Sequence, residues 1–432
     1  MHIRRHRLFW VFLLIVFFVN ISACAKKGSE QDTVESKAQS NTKQLKPLMH
    51  KGKPFFPIGA YGQTRPKGER GFISFSALRK AGWNTVLTGV HKDAAEFRRF
   101  MTDAEAEGFA IILAVGNAVK RQDRDEVIRE VMLGRNYSAT LGYYIFDEPE
   151  NIYSKSDEYK KFLLSIRNIG EPKDLGSFII KKISWVGPLI RQLDPDPNRY
   201  IFMCIAWPKY YKQLQPFCQV NMPNEYPTRG TSVEFEGPHA TIVYDARMAG
   251  EAAFEKGAGR GFCYTPFAVN IGLEGRYRYP TINEFRYSAF APITQGAMGI
   301  IYWAGYRCKQ PYTERVVFPV TRELGSLKDF FLGEWLDGKL KCEPSDRKTK
   351  LLKKLDVPAI SGCLRQHDDG RYLLLAVNNT AKPIWATFQL ALERLPNAAN
   401  EFLSARTVKI DNGVIKDAMD PYGVGAYIIE PR

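Results

Sequence analysis

Apolar runs of strand length alternate with segments of helical spacing along the chain from Lys53 onward. The runs at 54–61, 84–90, 109–115 and 141–146 predict four strands. The third run is apolar throughout, as in a strand that is buried on both faces. A segment with helical spacing follows each run, so this part of the chain predicts a parallel sheet with crossover helices.

The alternation continues less regularly through the next part of the chain. Further strands are predicted at 199–206, 218–222, 261–269 and 298–303, and further helices near 210–214, 246–256, 283–295 and 323–336. Strand–helix units in this number predict an α/β fold of the (β/α)8 type, the TIM barrel, which takes about 250 residues. A doubly wound open sheet is the alternative, but it favours a Gly-rich first turn that GAYG at 59–62 matches poorly.

The pattern changes after about residue 343. Alternating runs at 359–365, 371–378, 384–390 and 426–429 follow one another without helical segments, and HDDG at 367–370 and DNG at 411–413 are typical of hairpin turns. This pattern predicts a small antiparallel β-sandwich. The chain is therefore predicted to divide into a barrel domain at 51–340 and a C-terminal β-sandwich domain at 345–432.

The amino terminus has the pattern of an export signal. Basic residues precede the apolar run Leu8–Val19, which is too short to span a hydrocarbon core of roughly 30 Å as a helix. The following sequence, ISAC at 21–24, resembles the lipobox of bacterial lipoproteins, in which the cysteine is lipidated after cleavage just before it. The resemblance implies a signal peptide at 1–23 and a lipid anchor at Cys24.

The residues after Cys24 indicate where the anchored protein resides. Ala25 rather than aspartate follows the cysteine, a pattern that in lipoproteins of this kind implies the outer membrane, on either its periplasmic or its surface face. The next residues are mostly Lys, Ser, Gln, Glu and Thr, which bury too little apolar surface to fold. We therefore expect the segment 24–50 to be a lipidated, disordered tether.

Composition narrows the range of chemistry. The chain of 432 residues is 45% hydrophobic and 25% charged, as in an ordinary folded protein, and its net charge of +15 is spread without a basic run, so no nucleic-acid partner is predicted. There is no HExxH or CxxC motif, so neither a metal nor another cofactor is predicted.

His367, Asp368 and Asp369 are residue types that can bind a metal ion, but a solvated turn is the favoured interpretation of these three residues. Neither cysteine pairing nor oligomeric state follows from the sequence.

The most informative residues end the fourth predicted strand. The sequence FDEPE at 146–150 places two adjacent carboxyl groups, Asp147 and Glu148, at the strand end where barrel enzymes carry their sites. Because successive side chains of a strand alternate in direction, one acid can reach into the mouth while the other supports it or touches substrate. The alternatives are an acidic cluster at a solvated loop edge and a helix cap made by Asp147.

The run YYIFDEPE resembles the fourth-strand motif of the large clan of (β/α)8 glycoside hydrolases, in which Asn-Glu-Pro supplies the acid/base glutamate. GKPFFPIGAYG and KAGWNTV are similar to the clan's first two strands, GAMGIIYW to its eighth, and PYGVGAYIIEP to the last strand of the β-sandwich that often follows. The resemblance implies hydrolysis of O-glycosidic bonds in a carbohydrate substrate. It makes Glu148 the general acid/base and Trp303 a sugar-stacking residue, and further candidate substrate-binding residues are Tyr226, Trp207, His91 and Tyr306.

The chain departs from this clan at strand seven. The clan's nucleophile is a glutamate at the end of that strand, whereas 261–270 contains no carboxylate. A retaining mechanism needs two carboxyl groups about 5–5.5 Å apart. Replacement candidates are Glu225, Glu234, Glu236, Asp245 and Glu274, while Glu284 is expected to be engaged in a capping box with Thr281.

The second departure is that Asp147 stands where the clan has asparagine. An adjacent Asp–Glu pair resembles that of substrate-assisted hexosaminidases, in which the sugar's 2-acetamido oxygen attacks, the aspartate orients the amide and the glutamate protonates the leaving group. That mechanism requires no protein nucleophile. A retaining or inverting hydrolase with an unconventional second acid is an equal alternative, and a barrel that binds glycans for an envelope uptake system without cleaving them is the alternative of a different class.

Overall fold

The computed structural model describes residues 45–62, 73–90, 93–165, 174–227, 239–257, 259, 261–267, 278–303, 310–345, 351–352 and 356–431. The strands, numbered β1 to β20 in chain order, are Leu48–His50, Lys53–Phe55, Ile58–Tyr61, Thr85–Gly89, Ala110–Ala114, Thr140–Asp147, Tyr200–Cys204, Val220–Asn221, Ile300–Tyr302, Glu334–Trp335, Leu340–Pro344, Leu351–Leu352, Val357–Pro358, Ile360–Gln366, Tyr372–Asn378, Ile384–Leu390, Ala398–Glu401, Arg406–Lys409, Val414–Met419 and Val424–Ile429. The α-helices are Phe75–Lys80, Ala94–Ala106, Gly116–Arg121, Arg124–Gly134, Pro149–Tyr153, Asp157–Ser165, Leu175–Ile183, Val186–Leu193, Tyr211–Leu214, Ala240–Lys256, Ile282–Phe290, Gln310–Tyr312 and Phe318–Leu332. Short 3-10 helices lie at Pro208–Tyr210, Gln215–Phe217 and Ala291–Gln295, and a π-helical turn at Thr313–Val317.

Seven parallel strands form one sheet in the order β8-β7-β6-β5-β4-β3-β9. The segment 262–267 lies between its two edges: Thr265 pairs with Asn224, just beyond β8, and Tyr264 pairs with Ile300 of β9. The parallel segments therefore hydrogen-bond one after another around a ring. This arrangement confirms the predicted TIM-barrel-like α/β fold and differs from the doubly wound open sheet.

Alternate side chains of the barrel strands point inward and fill its interior. Leu87, Ile112, Phe202, Met222 and Ile301 are buried in one apolar cluster there. The intervening side chains point outward and pack against the surrounding helices in a second, larger cluster. Because both faces of every strand are covered, the strands read as continuous apolar runs in the sequence.

A short hairpin, β1–β2, covers the end of the barrel where the strands begin. Leu48 and Phe55 join the interior cluster, and the backbone N–H of Met49 donates to the hydroxyl of Tyr200, the first residue of β7, at 2.7 Å. The described fold thus begins at Leu45, inside the predicted tether of 24–50. The physical reason is that Leu45 and Leu48 are apolar and fully covered by the protein.

The C-terminal strands form antiparallel sheets. One has six strands in the order β10-β14-β15-β20-β17-β18, and another has three in the order β11-β16-β19. Leu364 and Leu374 of the larger sheet share a core with Phe388 and Ile415 of the smaller one. The neighbouring residues of the larger sheet, such as Leu375, face the barrel helices instead. The division into domains at 51–340 and 345–432 stays a prediction.

Several element boundaries differ from those predicted. The helix expected at 323–336 is Phe318–Leu332, because the residues after it, Glu334–Trp335, pair with β14. Helices at Gly116–Arg121, Leu175–Ile183 and Val186–Leu193 were not predicted. The capping box of Thr281 with Glu284 is confirmed.

Two further features concern the predicted signal peptide and the cysteines. Within the described ranges no helix is long and apolar enough to cross a membrane, and the predicted signal peptide and Cys24 lie outside those ranges. Five cysteines of the described residues are free thiols. Cys342 is half-buried, and the buried ones are Cys204, Cys218, Cys263 and Cys363.

Candidate active site

The chain turns sharply where the fourth barrel strand ends. Strand β6 ends at Asp147, and Glu148 then adopts a left-handed conformation, with φ 49° and ψ 59°, before Pro149 opens a short helix. A non-glycine residue in this conformation costs of order 1–3 kcal/mol and persists where its surroundings hold it. Here the backbone N–H of Glu148 donates to the carbonyl oxygen of Cys204 at 3.1 Å. The turn places the half-buried Glu148 side chain at the barrel mouth.

Both carboxyl oxygens of Glu148 accept hydrogen bonds from side chains. Asn151 Nδ2 donates to Oε2 at 2.6 Å, and Asn224 Nδ2 donates to Oε1. The hydroxyl of Tyr226 also donates to Oε1, at 3.4 Å, and accepts from Asn224 Nδ2 at 2.8 Å. The carboxyl group is therefore held in one orientation by groups from two different barrel loops.

Asp147 belongs to a separate chain of hydrogen bonds. The Tyr61 hydroxyl donates to the Tyr144 hydroxyl at 2.7 Å, and the Tyr144 hydroxyl donates to Asp147 Oδ1 at 2.6 Å. Partial burial in the mouth raises the pKa of Asp147, and repulsion from Glu148 raises it further, while the bond from Tyr144 opposes both. The side chain keeps contact with solvent, so a ligand in the mouth can reach it.

Three aromatic rings form a wall beside Glu148. The rings of Phe267 and Trp303 stack with centroids 5.9 Å apart and planes at 14°. The ring of Tyr226 lies 4.8 Å from that of Phe267 and 5.8 Å from that of Trp303. Because the Tyr226 hydroxyl also bonds to Glu148, this wall adjoins the carboxyl group. Tyr226 and Trp303 are half-buried and can present apolar ring surface to a ligand, whereas Phe267 is buried.

Trp207 lies in a different ring stack. Its ring stacks on that of Tyr210, with centroids 5.9 Å apart, and the Lys209 ammonium lies 4.9 Å from its centroid. The loop that carries it is held by Glu150, whose Oε1 accepts hydrogen bonds from the backbone N–H groups of Ala206 and Trp207. Glu150 is fully buried, and burial raises its pKa to about 7.

Glu225 and Asp245, two candidates for a second catalytic carboxyl group, interact with each other. Asn224 and Tyr226 both reach Glu148, whereas Glu225 between them interacts with Asp245 of the helix Ala240–Lys256. Asp245 is buried, and both burial and the neighbouring Glu225 raise its pKa. The Glu225 carboxyl is therefore engaged with a buried acid of a surrounding helix.

The remaining candidates are engaged elsewhere or lie outside the described residues. Glu284 accepts two hydrogen bonds from Arg278, at 2.6 Å each, and despite its partial burial these bonds and the cap lower its pKa to about 2. The sequence candidates outside the described ranges are His91, Tyr306, Glu234, Glu236 and Glu274. No group of three or more His, Cys, Asp or Glu side chains suited to a metal ion occurs in the described part of the chain.

The structure adds residues that the sequence did not single out. The sequence places Phe267 within a predicted apolar strand, and it gives Tyr61 and Tyr144 strand positions that are typical of core residues. Asn224 Oδ1 and Thr265 Oγ1 are buried polar atoms for which the described part of the chain shows no hydrogen-bond partner, and the two residues pair as parallel neighbours.

No protein-family model matches the chain, and a comparison with curated proteins finds no match. Solved structures do match. A glycoside hydrolase is 13% identical, with a TM-score of 0.57, over 91% of this chain and 96% of that one. A glycoside hydrolase family 5 protein from Bacteroides vulgatus is 12% identical, with a TM-score of 0.55, over 93% and 96%. A β-galactosidase from Rahnella sp. R3 is 9% identical, with a TM-score of 0.55, over 89% and 100%. At such identities the likeness shows a glycoside-hydrolase-like fold alone.

Proposed function

We propose that this protein hydrolyses O-glycosidic bonds of a glycan at the carboxyl end of β6, with Glu148 as general acid/base. The observation that carries the proposal is the position of the Glu148 carboxyl, which is oriented by Asn151 and Asn224 beside the aromatic wall of Tyr226 and Trp303. An acid of fixed orientation next to a flat apolar surface suits a glycosidic oxygen above a stacked sugar ring. The fold of the similar solved structures supports the class of reaction.

The proposed reaction is substrate-assisted. The carbonyl oxygen of a 2-acetamido group attacks the anomeric carbon as the bond to the leaving oxygen breaks, and that oxygen takes the proton of Glu148. Asp147 accepts a hydrogen bond from the amide N–H and stabilises the positive charge that develops on it. Water then attacks the anomeric carbon, returns a proton to Glu148 and restores the acetamido group. The reaction needs no nucleophile from the protein.

Three features favour this route over a conventional double displacement. The segment 261–267 has no carboxylate, Glu225 interacts with the buried Asp245, and Glu284 is bound by Arg278. The Tyr144 hydroxyl fixes one oxygen of Asp147 and so sets the direction of the other. A retaining or inverting mechanism would take its second acid from Glu234, Glu236 or Glu274.

The test is hydrolysis of 4-methylumbelliferyl glycosides with and without a 2-acetamido group. We expect turnover only of the 2-acetamido substrates. Glu148→Gln should lower kcat by about 10²–10⁴-fold on substrates with poor leaving groups and much less on dinitrophenyl glycosides, which need little protonation. Asp147→Asn should lower kcat by about 10²-fold on both. Glu251→Gln is the matched control, because Glu251 is an exposed residue of the helix Ala240–Lys256, and it should leave kcat unchanged.

The second candidate function is glycan binding without cleavage, as part of an envelope uptake system. The absence of a carboxylate in 261–270 favours it, because the clan that the sequence resembles has its nucleophile at the end of that strand. Under this alternative the wild-type protein binds oligosaccharides with a measurable Kd, shows no turnover, and keeps its affinity in Glu148→Gln. Turnover by wild type that Glu148→Gln abolishes would exclude it.

We further propose that Cys24 is lipidated and anchors the protein to the outer membrane. The support is the sequence ISAC at 21–24 after a short apolar run. Cells fed a tritiated or alkyne-labelled fatty acid should label the wild-type protein and not Cys24→Ser, and wild type should fractionate with the outer membrane. Equal labelling of the two, or none, would contradict the proposal.

A further inference from the structure

A tryptophan stands exposed on the C-terminal three-stranded sheet. Trp385 has 63% of its surface accessible to solvent, whereas the other large apolar side chains that are exposed among the described residues, Met132 and Ile282, have 37% and 36%. The exposure of this large ring is therefore well above that of any comparable side chain in the described fold, and it needs a physical explanation.

The register of β16, the central strand between β11 and β19, accounts for this exposure. Ile384, Ala386 and Phe388 point into the core shared with the larger sheet. Side chains alternate along the strand, so Trp385 and Gln389 must point to the opposite, outer face. A slip of one residue would expose the core residues, so the ring cannot turn inward.

The neighbours of Trp385 on this face are small or polar. Ala418 of β19 lies directly opposite it, and Lys416 lies opposite Thr387, the next outward residue of β16. On the other side the backbone N–H of Ser345 donates to the Trp385 carbonyl oxygen at 2.7 Å, and the hydroxyls of Ser345 and Thr387 lie 3.2 Å apart. Glu343 of β11 lies opposite Thr387 and forms an ion pair with Lys341 at 3.1 Å, so the aromatic ring stands among hydroxyl, amide, ammonium and carboxylate groups.

The chemistry of this face selects among classes of partner. A stable protein interface buries about 800 Å² per partner around a central apolar cluster, and membrane insertion needs a continuous apolar face. A single ring among polar groups offers neither. A sugar ring has one face of C–H groups and an edge of hydroxyls, which match a tryptophan ring beside hydrogen-bonding side chains.

We propose that the outer face of β11, β16 and β19, centred on Trp385, is a carbohydrate-binding surface that holds a glycan chain on a different sheet from Glu148. The sugar stacks on Trp385, and its hydroxyls bond to Thr387, Gln389 and Lys416. From Trp385 to Gln389 the strand extends about 14 Å, so the surface accommodates more than one sugar unit. This inference does not depend on cleavage at Glu148, since the face binds whether or not the barrel is catalytic.

The test is affinity electrophoresis of the full-length mature protein through gels that contain soluble galactan, carrageenan, mannan, xylan or chitosan. We expect at least one polysaccharide to retard the wild-type protein and Trp385→Ala to weaken that binding about tenfold or more. Trp385→Tyr should restore part of it. Met132→Ala removes another exposed apolar side chain and should change nothing, and equal thermal unfolding of all variants shows that they are folded.

Two controls separate this face from the barrel. Glu148→Gln should bind the polysaccharide as wild type does, and Trp385→Ala should hydrolyse short soluble glycosides as wild type does if the protein is an enzyme. Loss of retardation in Trp303→Ala but not in Trp385→Ala would assign the binding to the barrel and overturn the inference. So would the absence of retardation by every polysaccharide. Failure of hydrolysis alone would count against the proposed function and leave this result intact.

Discussion

The Tyr144 hydroxyl donates a hydrogen bond to Asp147 Oδ1 at 2.6 Å, although residues three apart in a regular strand point to opposite faces. The pairing of β6 with β7 shifts register between Tyr144 and Phe146, and this irregularity turns both side chains to the same side of the sheet. Such a bulge at the end of a barrel strand aims a side chain. Here it directs the Asp147 carboxyl to the mouth, next to Glu148.

Removal of this bond should change the pH dependence of activity. The Tyr144 hydroxyl lowers the pKa of Asp147, so Tyr144→Phe should raise that pKa. If the ionised Asp147 orients the substrate amide, the acidic limb of the kcat/KM profile moves to higher pH. Tyr143→Phe is the matched control, because the Tyr143 hydroxyl bonds to Asp194 at 2.7 Å on the outer side. An unchanged acidic limb in Tyr144→Phe would show that Asp147 does not titrate in the reaction.

Asn224→Ala should impair catalysis more than binding. Asn224 donates hydrogen bonds to both Glu148 Oε1 and the Tyr226 hydroxyl. Its removal therefore leaves the Glu148 carboxyl and the Tyr226 ring less firmly oriented. We expect kcat to fall by about 10²-fold with a smaller change in KM, since a small misplacement of a reacting group has that effect. Steady-state kinetics on a 2-acetamido glycoside provides the measurement. A rise in KM with unchanged kcat would show instead that Asn224 binds the substrate and the transition state equally.

Glu150 should make the protein less stable as pH rises. Burial raises its pKa from the ordinary 4.5 to about 7, so the folded state binds its proton more tightly than the unfolded state does. The stabilisation is complete below about pH 4.5 and is lost as pH rises through about 7, with a size of about 3 kcal/mol. The raised pKa of Asp245 acts in the same direction.

Glu150→Gln tests this dependence, because glutamine keeps an acceptor for the N–H groups of Ala206 and Trp207. Urea unfolding between pH 4.5 and 7.5 should show a shallower fall in the free energy of unfolding for the variant than for wild type. Glu251→Gln, on an exposed position, should follow wild type. An identical slope for Glu150→Gln would assign the pH dependence to other groups.

The two mouth tryptophans predicted from sequence should differ in their effects. Trp303 stacks on Phe267 beside Glu148, whereas Trp207 stacks on Tyr210. Trp303→Ala should raise KM about tenfold, since loss of one stacked ring costs about 1.4 kcal/mol of binding, and Trp207→Ala should change KM less. Isothermal titration with an oligosaccharide gives the same comparison for a protein without turnover. Equal effects would place both rings at the sugar.

Much of the fold could be predicted because it depends on local patterns. The alternation of apolar runs with helical spacing predicted the parallel barrel, and the capping residues Thr281 and Glu284 predicted a helix start that the structure has. The position of Asp147 and Glu148 at a strand end also followed from the sequence, since a strand that stops before proline leaves its last side chains at the edge of the sheet.

Other features depended on contacts between distant residues, which no local pattern encodes. The register shift that pairs Tyr144 with Asp147, the orientation of Glu148 by Asn224 and the stack of Phe267 on Trp303 all require strands to be neighbours in space. The exposure of Trp385 likewise follows from the core on the other side of its sheet. The sequence by itself determined that Asp147 and Glu148 stand at the end of the fourth barrel strand. Only the tertiary structure decided which strand ends meet there, because packing and hydrogen bonding between strands set the register.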